Sequence, residues 1–243
     1  MHTPAIILVN PQMGENIGAT ARAMLNFGLT DLRIVNPRDG WPNDKAIDMA
    51  AGALEQMPSV QIFDTLKRAI ADCTHTYATT ARPRDMVKLI LTPRTAAQDA
   101  THRIHNKKTI GFVFGGERAG LTNDEIAHCT NIIQIPTNPN FSSLNLGQAV
   151  LLIAYEIFQA QDETPKHILN TGDSHPAPQA ELENLLNRLE TALTEKNFFK
   201  SASLKPTMIR NLRNIFTRTE LTQQEINTLQ GVITALKSSN PKK

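Results

Sequence analysis

The chain has 243 residues, more than the ~150 of one typical domain, so one full domain and a smaller appendage are expected. Hydrophobic residues make up 40% and charged residues 20%, with 12 Gly and 14 Pro, a globular composition that excludes collagen-like, mucin-like and wholly disordered chains. Net charge is only +2, but it is uneven: residues 1–163 carry −2 and residues 164–243 carry +4, so the C-terminal part suits an anionic partner.

No run approaches the ~18 apolar residues of a membrane span, and Ala5–Val9 is too short for a secretory core. A cytoplasmic protein without membrane contact is therefore expected. Cys73 and Cys129 lack metal-ligand or redox spacing, so neither a disulfide scaffold nor a metal site is expected.

Short apolar runs alternate with helical stretches through the first two thirds of the chain. Ala5–Val9, Leu32–Val35, His75–Thr79, Ile110–Phe114 and Ile132–Ile135 read as buried strands bounded by turn residues. Asn16 can cap a helix that Gly28 ends after Phe27. Asn43 or Asp44 can start one ending near Gly52, and Asp64 another through Ala71. Later helices are predicted over Asn123–His128 and Leu144–Gln159. This βαβα order predicts an α/β fold, a parallel sheet with helices on both faces, whose ligands sit at the carboxyl ends of the strands.

Pro165, Gly172, Pro176 and Pro178 interrupt the pattern, so 162–179 reads as a linker between a domain at 1–161 and a module at 180–243. Beyond it, Leu182, Leu185, Leu186, Leu189 and Leu193 mark one amphipathic helix, and Ile209, Leu212, Ile215 and Phe216 a second. Thr222 and Glu225 form a capping box that opens a third helix, completing a small all-helical module.

Three motifs fall at strand ends. In Gly14-Glu15-Asn16-Ile17-Gly18-Ala19-Thr20-Ala21-Arg22, small residues permit close helix packing, within the chain or with a partner, and Arg22 can bind a phosphate bidentately. An ordinary capped helix with a surface arginine explains it as well. Phe114-Gly115-Gly116-Glu117-Arg118-Ala119-Gly120-Leu121 lets backbone pass close to a ligand, or merely turns the chain. Ile135-Pro136 and Phe141-Ser142-Ser143-Leu144-Asn145-Leu146 open the long helix, where Ser142 and Ser143 are good N-caps. A dinucleotide fingerprint and a P-loop are both absent, which counts against a nucleotide-dependent oxidoreductase.

Together these segments resemble the SPOUT class of RNA methyltransferases, in its 2′-O-methylating TrmH-like branch. The resemblance rests on an Asn-x-Gly-Ala-x-x-Arg helix, a Phe-Gly-x-Glu-x-x-Gly-Leu turn and an Ile-Pro…Ser-Leu-Asn segment, and covers about residues 4–160. Ala50-Ala51-Gly52-Ala53, Thr79-Thr80-Ala81-Arg82-Pro83-Arg84 and the basic tail are similar to members of that branch that methylate the first nucleotide of the tRNA anticodon loop, position 32.

The resemblance implies a deep C-terminal trefoil knot, with the chain near Ser143–Gln159 threaded through a preceding loop. It implies S-adenosylmethionine as cofactor, held around Thr79, Thr80, Ala81, Gly115, Glu117, Ile135, Ser142, Ser143 and Leu144. It also implies a homodimer that completes each site, and no metal. Arg22 is marked as catalytic, clamping the target phosphate, with Asn16, Ser143 and Asn145 beside it and Glu117 pairing with an arginine. Arg22, Arg82, Arg84, Arg118, Arg210 and Arg213 would contact tRNA phosphates. Another tRNA position, ribosomal RNA, or RNA binding without catalysis are the alternatives.

Overall fold

A computed structural model describes residues 3–82, 85–165, 170 and 172–238, which fall into two compact units, Met1–Thr164 and Pro165–Lys243. The first unit runs β1 (Ala5–Val9), α1 (Gly14–Asn26), β2 (Asp31–Val35), α2 (Asp44–Ala50), β3 (Gln61–Phe63), α3 (Leu66–Ala69) and β4 (His75–Thr79). It continues with β5 (Ile90–Leu91), α4 (Pro93–His105), β6 (Ile110–Gly115), α5 (Asn123–Ala127), β7 (Asn131–Ile133) and α6 (Leu146–Gln159). The sheet order is β3-β2-β1-β6-β4-β7-β5, with parallel pairings throughout.

Strands enclosed on both faces should be apolar end to end, and all five residues of β1 are buried. Their side chains alternate between two cores. Ile6, Leu8, Tyr77, Phe112 and Phe114 meet α1, α2, α4 and α6 on one face, while Ile7, Val9, Ala78, Val113 and Ile132 meet α3 and α5 on the other. After β7 the chain returns to pack α6 against α1, α4 and β6, a path consistent with the threading expected of this segment.

Several expected details are corrected. Helix α1 begins at Gly14, so Asn16 lies inside its first turn rather than at the cap, and Met13 at the N-cap offers no side-chain acceptor. Thr65, not Asp64, caps α3, which ends at Ala69. Asn145 caps α6 by accepting the Gln148 N–H, so Ser142 and Ser143 are not its caps. Asn43 caps α2 as expected. The small residues of α1 pack within the chain: a Cβ on Gly18 would lie 2.2 Å from the Ala46 carbonyl oxygen, and one on Gly147 would lie 2.9 Å from the Ala19 Cβ.

The second unit holds α7 (Gln179–Glu195), α8 (Lys205–Thr217) and α9 (Gln223–Ser238). Leu182, Leu185, Leu186, Ile226 and Ile233 form its core between α7 and α9. The capping box is present: the Thr222 N–H donates to Glu225, and the Glu225 N–H donates to the Thr222 hydroxyl. Part of the expected linker is paired, since the Ala177 N–H donates to Leu221 and the Gln223 N–H to His175.

Candidate active site

The loops leaving β4, β6 and β7 at their carboxyl ends enclose a cleft of about 320 Å3, at the lower end of the range for small-molecule pockets. Thr79, Thr80, Ala81 and Arg82 line it from the β4 loop. Phe114 and residues 115–120 line it from β6 and the following loop, and Ile135, Thr137, Ser142, Ser143 and Leu144 from the β7–α6 connection. Leu146 and Ala149 of α6 complete the wall. All nine residues singled out around the cofactor therefore face one cavity.

Glycines allow the closeness. A Cβ on Gly116 would stand 2.3 Å from the Asn10 carbonyl oxygen, so this loop presses against the end of β1. Gly120 adopts a φ of 65°, and its N–H returns to the Gly116 carbonyl at 2.9 Å, closing the turn. One polar atom in the wall is left over. The Thr79 hydroxyl is buried and has no hydrogen-bond partner among the described residues, a state that costs free energy unless a ligand supplies one.

Glu117 joins the loops to one another. Its carboxylate accepts from the Gln12 N–H at 2.8 Å, the Met13 N–H at 3.2 Å and the Asn16 side-chain amide at 2.6 Å. It thus closes the start of α1, where Met13 offers no side-chain cap, and adds to Glu15 a second negative charge where the helix dipole favours one. Asn16 in turn accepts from the Asn145 amide at 2.8 Å, and Asn145 caps α6. A single hydrogen-bonded chain runs from the β6 loop through α1 to the start of α6. The expectation that Glu117 pairs with an arginine is corrected: its partners are backbone N–H groups and Asn16.

The cations are distributed differently from expectation. Arg82 and Arg118 are exposed on the cleft wall. Arg22 is exposed on α1 and is not part of the wall, so in its own chain it stands outside the cleft. Arg84 lies outside the described residues. In the second unit Arg210 is exposed, and its guanidinium donates to the Thr207 hydroxyl at 3.2 Å. Arg213 instead donates to Glu190 and Glu183, each at 2.7 Å, and to Asn187 at 2.9 Å. Its guanidinium holds α8 on α7 and is not free for phosphate.

Sequence reasoning overlooked Thr137, Leu146 and Ala149, whose signal was their position flanking the Ser-Leu-Asn segment, and Gly116, whose signal was its place in the glycine turn. Arg38, after β2, is exposed, lies outside the cleft wall and pairs with Asp39. Its basicity is raised by Asp39, with smaller contributions from Glu117 and Glu15. Among the described residues no three His, Cys, Asp or Glu side chains gather as a metal ion would require.

Residues 4–155 match the model of the SpoU rRNA Methylase family, and residues 180–243 match that of the tRNA methyltransferase TrmJ C-terminal domain. The tRNA (cytidine/uridine-2′-O-)-methyltransferase TrmJ of Yersinia pestis (strain Pestoides F) is 36% identical over 247 residues, spanning 99% of this chain and 93% of its own. The crystal structure of TrmJ from Z. mobilis ZM4 superimposes with a TM-score of 0.81 at 47% identity, covering 97% of this chain and 100% of that one. The fold alone is shared with the SpoU methyltransferase AviRb from Streptomyces viridochromogenes in complex with AdoMet, at a TM-score of 0.51 and 19% identity over 65% of this chain and 58% of that one.

Proposed function

The chain belongs to the SpoU rRNA methylase family, and from that membership we propose that it transfers the methyl group of S-adenosylmethionine to a ribose 2′-hydroxyl of tRNA. The nucleotide is a cytidine or uridine, the first of the anticodon loop. The observation that carries this reading is the cleft itself, where loops from three strands meet and the Glu117–Asn16–Asn145 chain ties the β6 loop to the start of α6. The TrmJ-type C-terminal segment favours tRNA over ribosomal RNA, and a tRNA substrate agrees with a cytoplasmic enzyme.

The cleft suits the cofactor chemically. Phe114, Ile135, Leu144 and Leu146 offer apolar walls to a purine, and the unpartnered Thr79 hydroxyl can bond its polar edge. S-adenosylmethionine supplies, when bound, an electrophilic methyl carbon for in-line displacement by an oxygen. The protein has to hold the ribose hydroxyl about 3 Å from that carbon and exclude water, and orientation of this kind accounts for much of such a rate. Ser142 and Ser143 border the approach, and Asn145 fixes the start of α6 beneath them.

Arg22 supplies a fixed positive charge. Guanidinium is not deprotonated in proteins, so its work is to clamp a phosphate and stabilise developing alkoxide, not to remove the proton. We assign Arg22 to the cleft of a second copy. Leu151, Leu152, Tyr155 and Phe158 of α6 are exposed, and Phe27 of α1 meets the Tyr155 and Phe158 rings at 5.7 and 5.8 Å. This apolar face lies on α6 and the end of α1, the helix that carries Arg22, and suits the seam of a homodimer. Arg82, Arg118 and Arg210 then contact the tRNA backbone.

Labelled S-adenosylmethionine and unmodified tRNA test the proposal. Arg22→Ala should abolish transfer while equilibrium dialysis still shows cofactor bound. Mixing Arg22→Ala subunits with Gly116→Ala subunits should restore roughly a quarter of the activity, the share that random pairing gives when Arg22 acts across the seam. No recovery would place Arg22 in its own chain's chemistry, and no transfer by the parental protein would end the reading.

A further inference from the structure

We propose that Phe141 is a stacking platform for the target pyrimidine, contacting the substrate beside the reacting ribose; this deepens the proposed ribose methylation and rests on it. Phe141 is 76% exposed, an unusual state for so large an apolar side chain. It is held rigidly. Residues 138–141 form a tight turn in which the Phe141 N–H donates to the Asn138 carbonyl at 2.9 Å and the Asn140 N–H donates to the Asn138 side-chain oxygen at 3.0 Å. Pro139 occupies the second position of that turn, where its ring presets the backbone.

Both feet of the turn stand on the cleft. Thr137 on one side and Ser142 and Ser143 on the other line its wall, so Phe141 sits in the short segment that borders the cavity, with its side chain exposed. The turn fixes the backbone that carries the ring, so only the two side-chain torsions of Phe141 are left to be ordered when a base arrives. Single-stranded RNA is commonly gripped by stacking unpaired bases on such rings.

The chemistry of the two substrates points the same way. Cytosine presents an amino donor where uracil presents a carbonyl acceptor, so a hydrogen-bond reader of that edge would accept one and reject the other. An enzyme that takes both reads what they share, which is the C2 carbonyl, ring size and a π-face. Phe141 has no polar atom and offers contact to the π-face alone.

The test compares Phe141→Ala, Phe141→Leu and Phe141→Tyr with the parental protein, after parental transfer to tRNA has been measured. Alanine and leucine should each lower kcat/KM for tRNA about ten- to a hundredfold, and by the same factor for cytidine and uridine substrates. Tyrosine should keep most of the activity. The KM for S-adenosylmethionine and the elution volume on size exclusion should not move, which separates stacking from a cofactor wall or a dimer contact. In Phe141→Trp, fluorescence above the Trp41 background should be quenched by an anticodon stem-loop RNA and not by S-adenosylmethionine.

Leucine performing as well as phenylalanine, a changed cytidine-to-uridine ratio, weakened cofactor binding or an altered oligomeric state would each overturn the proposal. Absence of parental transfer would instead defeat the ribose-methylation reading, and the fluorescence experiment would still decide whether the ring meets RNA.

Discussion

Replacing Glu117 by alanine removes the acceptor that closes the start of α1. Met13 supplies no side-chain cap, so the Gln12 and Met13 N–H groups and the Asn16 amide lose one shared carboxylate together. Loss of a helix cap costs about 1 kcal/mol, and the favourable placement of a charge at the positive end of the helix is worth about 0.3–1 kcal/mol more. Asn16 is 7% exposed, so its amide finds water poorly, whereas the Met13 N–H is exposed and recovers a partner. The sum is about 2 kcal/mol. With a urea slope of about 2 kcal/mol per M, the midpoint should fall by about 1 M. Trp41, the sole tryptophan, reports on the first unit directly. Cofactor affinity should fall as well, because the loop that carries Glu117 forms one wall of the cleft. Glu117→Gln keeps the shape but loses the charge, and should fall between the two. An alanine variant with an unchanged midpoint and unchanged cofactor binding would refute the claim that this carboxylate ties the loops together.

Other consequences follow from single interactions. Buried Arg33 is clasped by Asp31 at 2.8 and 3.0 Å and by Asp72, and it donates to the Ala69 carbonyl at 2.7 Å, so Arg33→Ala should cost about 3 kcal/mol in urea unfolding. Hydrogen bonding to Arg33 holds the Asp72 carboxyl below its ordinary range. Its stabilising contribution is therefore complete above the unfolded value of about 3.9 and disappears as pH falls through the lower folded value. The stability gap between the parental protein and Asp72→Asn should accordingly narrow as the pH is lowered below the ordinary aspartate value of about 3.9. Gly116→Ala forces a Cβ to 2.3 Å from backbone and should weaken cofactor binding at least tenfold by dialysis, with the circular dichroism spectrum preserved. Replacing Lys200, Lys205, Arg210 and Arg218 together by glutamine should flatten the salt dependence of tRNA binding by about 0.9 for each phosphate no longer neutralised, read from filter binding across salt concentrations.

The sheet and the strand-end loops were legible in the sequence because both depend on local signals, uninterrupted apolar runs and the turn residues that bound them. The strands β3 and β5 were not. Gln61–Phe63 carries a polar residue at the sheet edge, and Ile90–Leu91 is two residues long, so neither shows a period. Helix α4 was missed although Thr92 caps it and Pro93 opens it, because its buried face is built from Ala96, Ala97 and Ala100, which give weak hydrophobic contrast. The candidate site was legible as a set of residue types, and its wiring was not. Asn16 looks like a local cap in sequence, whereas the cap of α1 is Glu117, about a hundred positions away, an interaction that only the folded chain brings together. Arg213 shares a helical face with Arg210, and only the placement of α7 distinguishes an arginine that holds helices from one that faces solvent.

Nucleotide mapping of the methylated product tests the central claim most directly. After reaction with labelled S-adenosylmethionine, alkaline hydrolysis of the tRNA should leave the label in one resistant dinucleotide at the first position of the anticodon loop, since a 2′-O-methyl ribose cannot form the cyclic phosphate. Label recovered in a mononucleotide, and therefore on a base, would contradict the account.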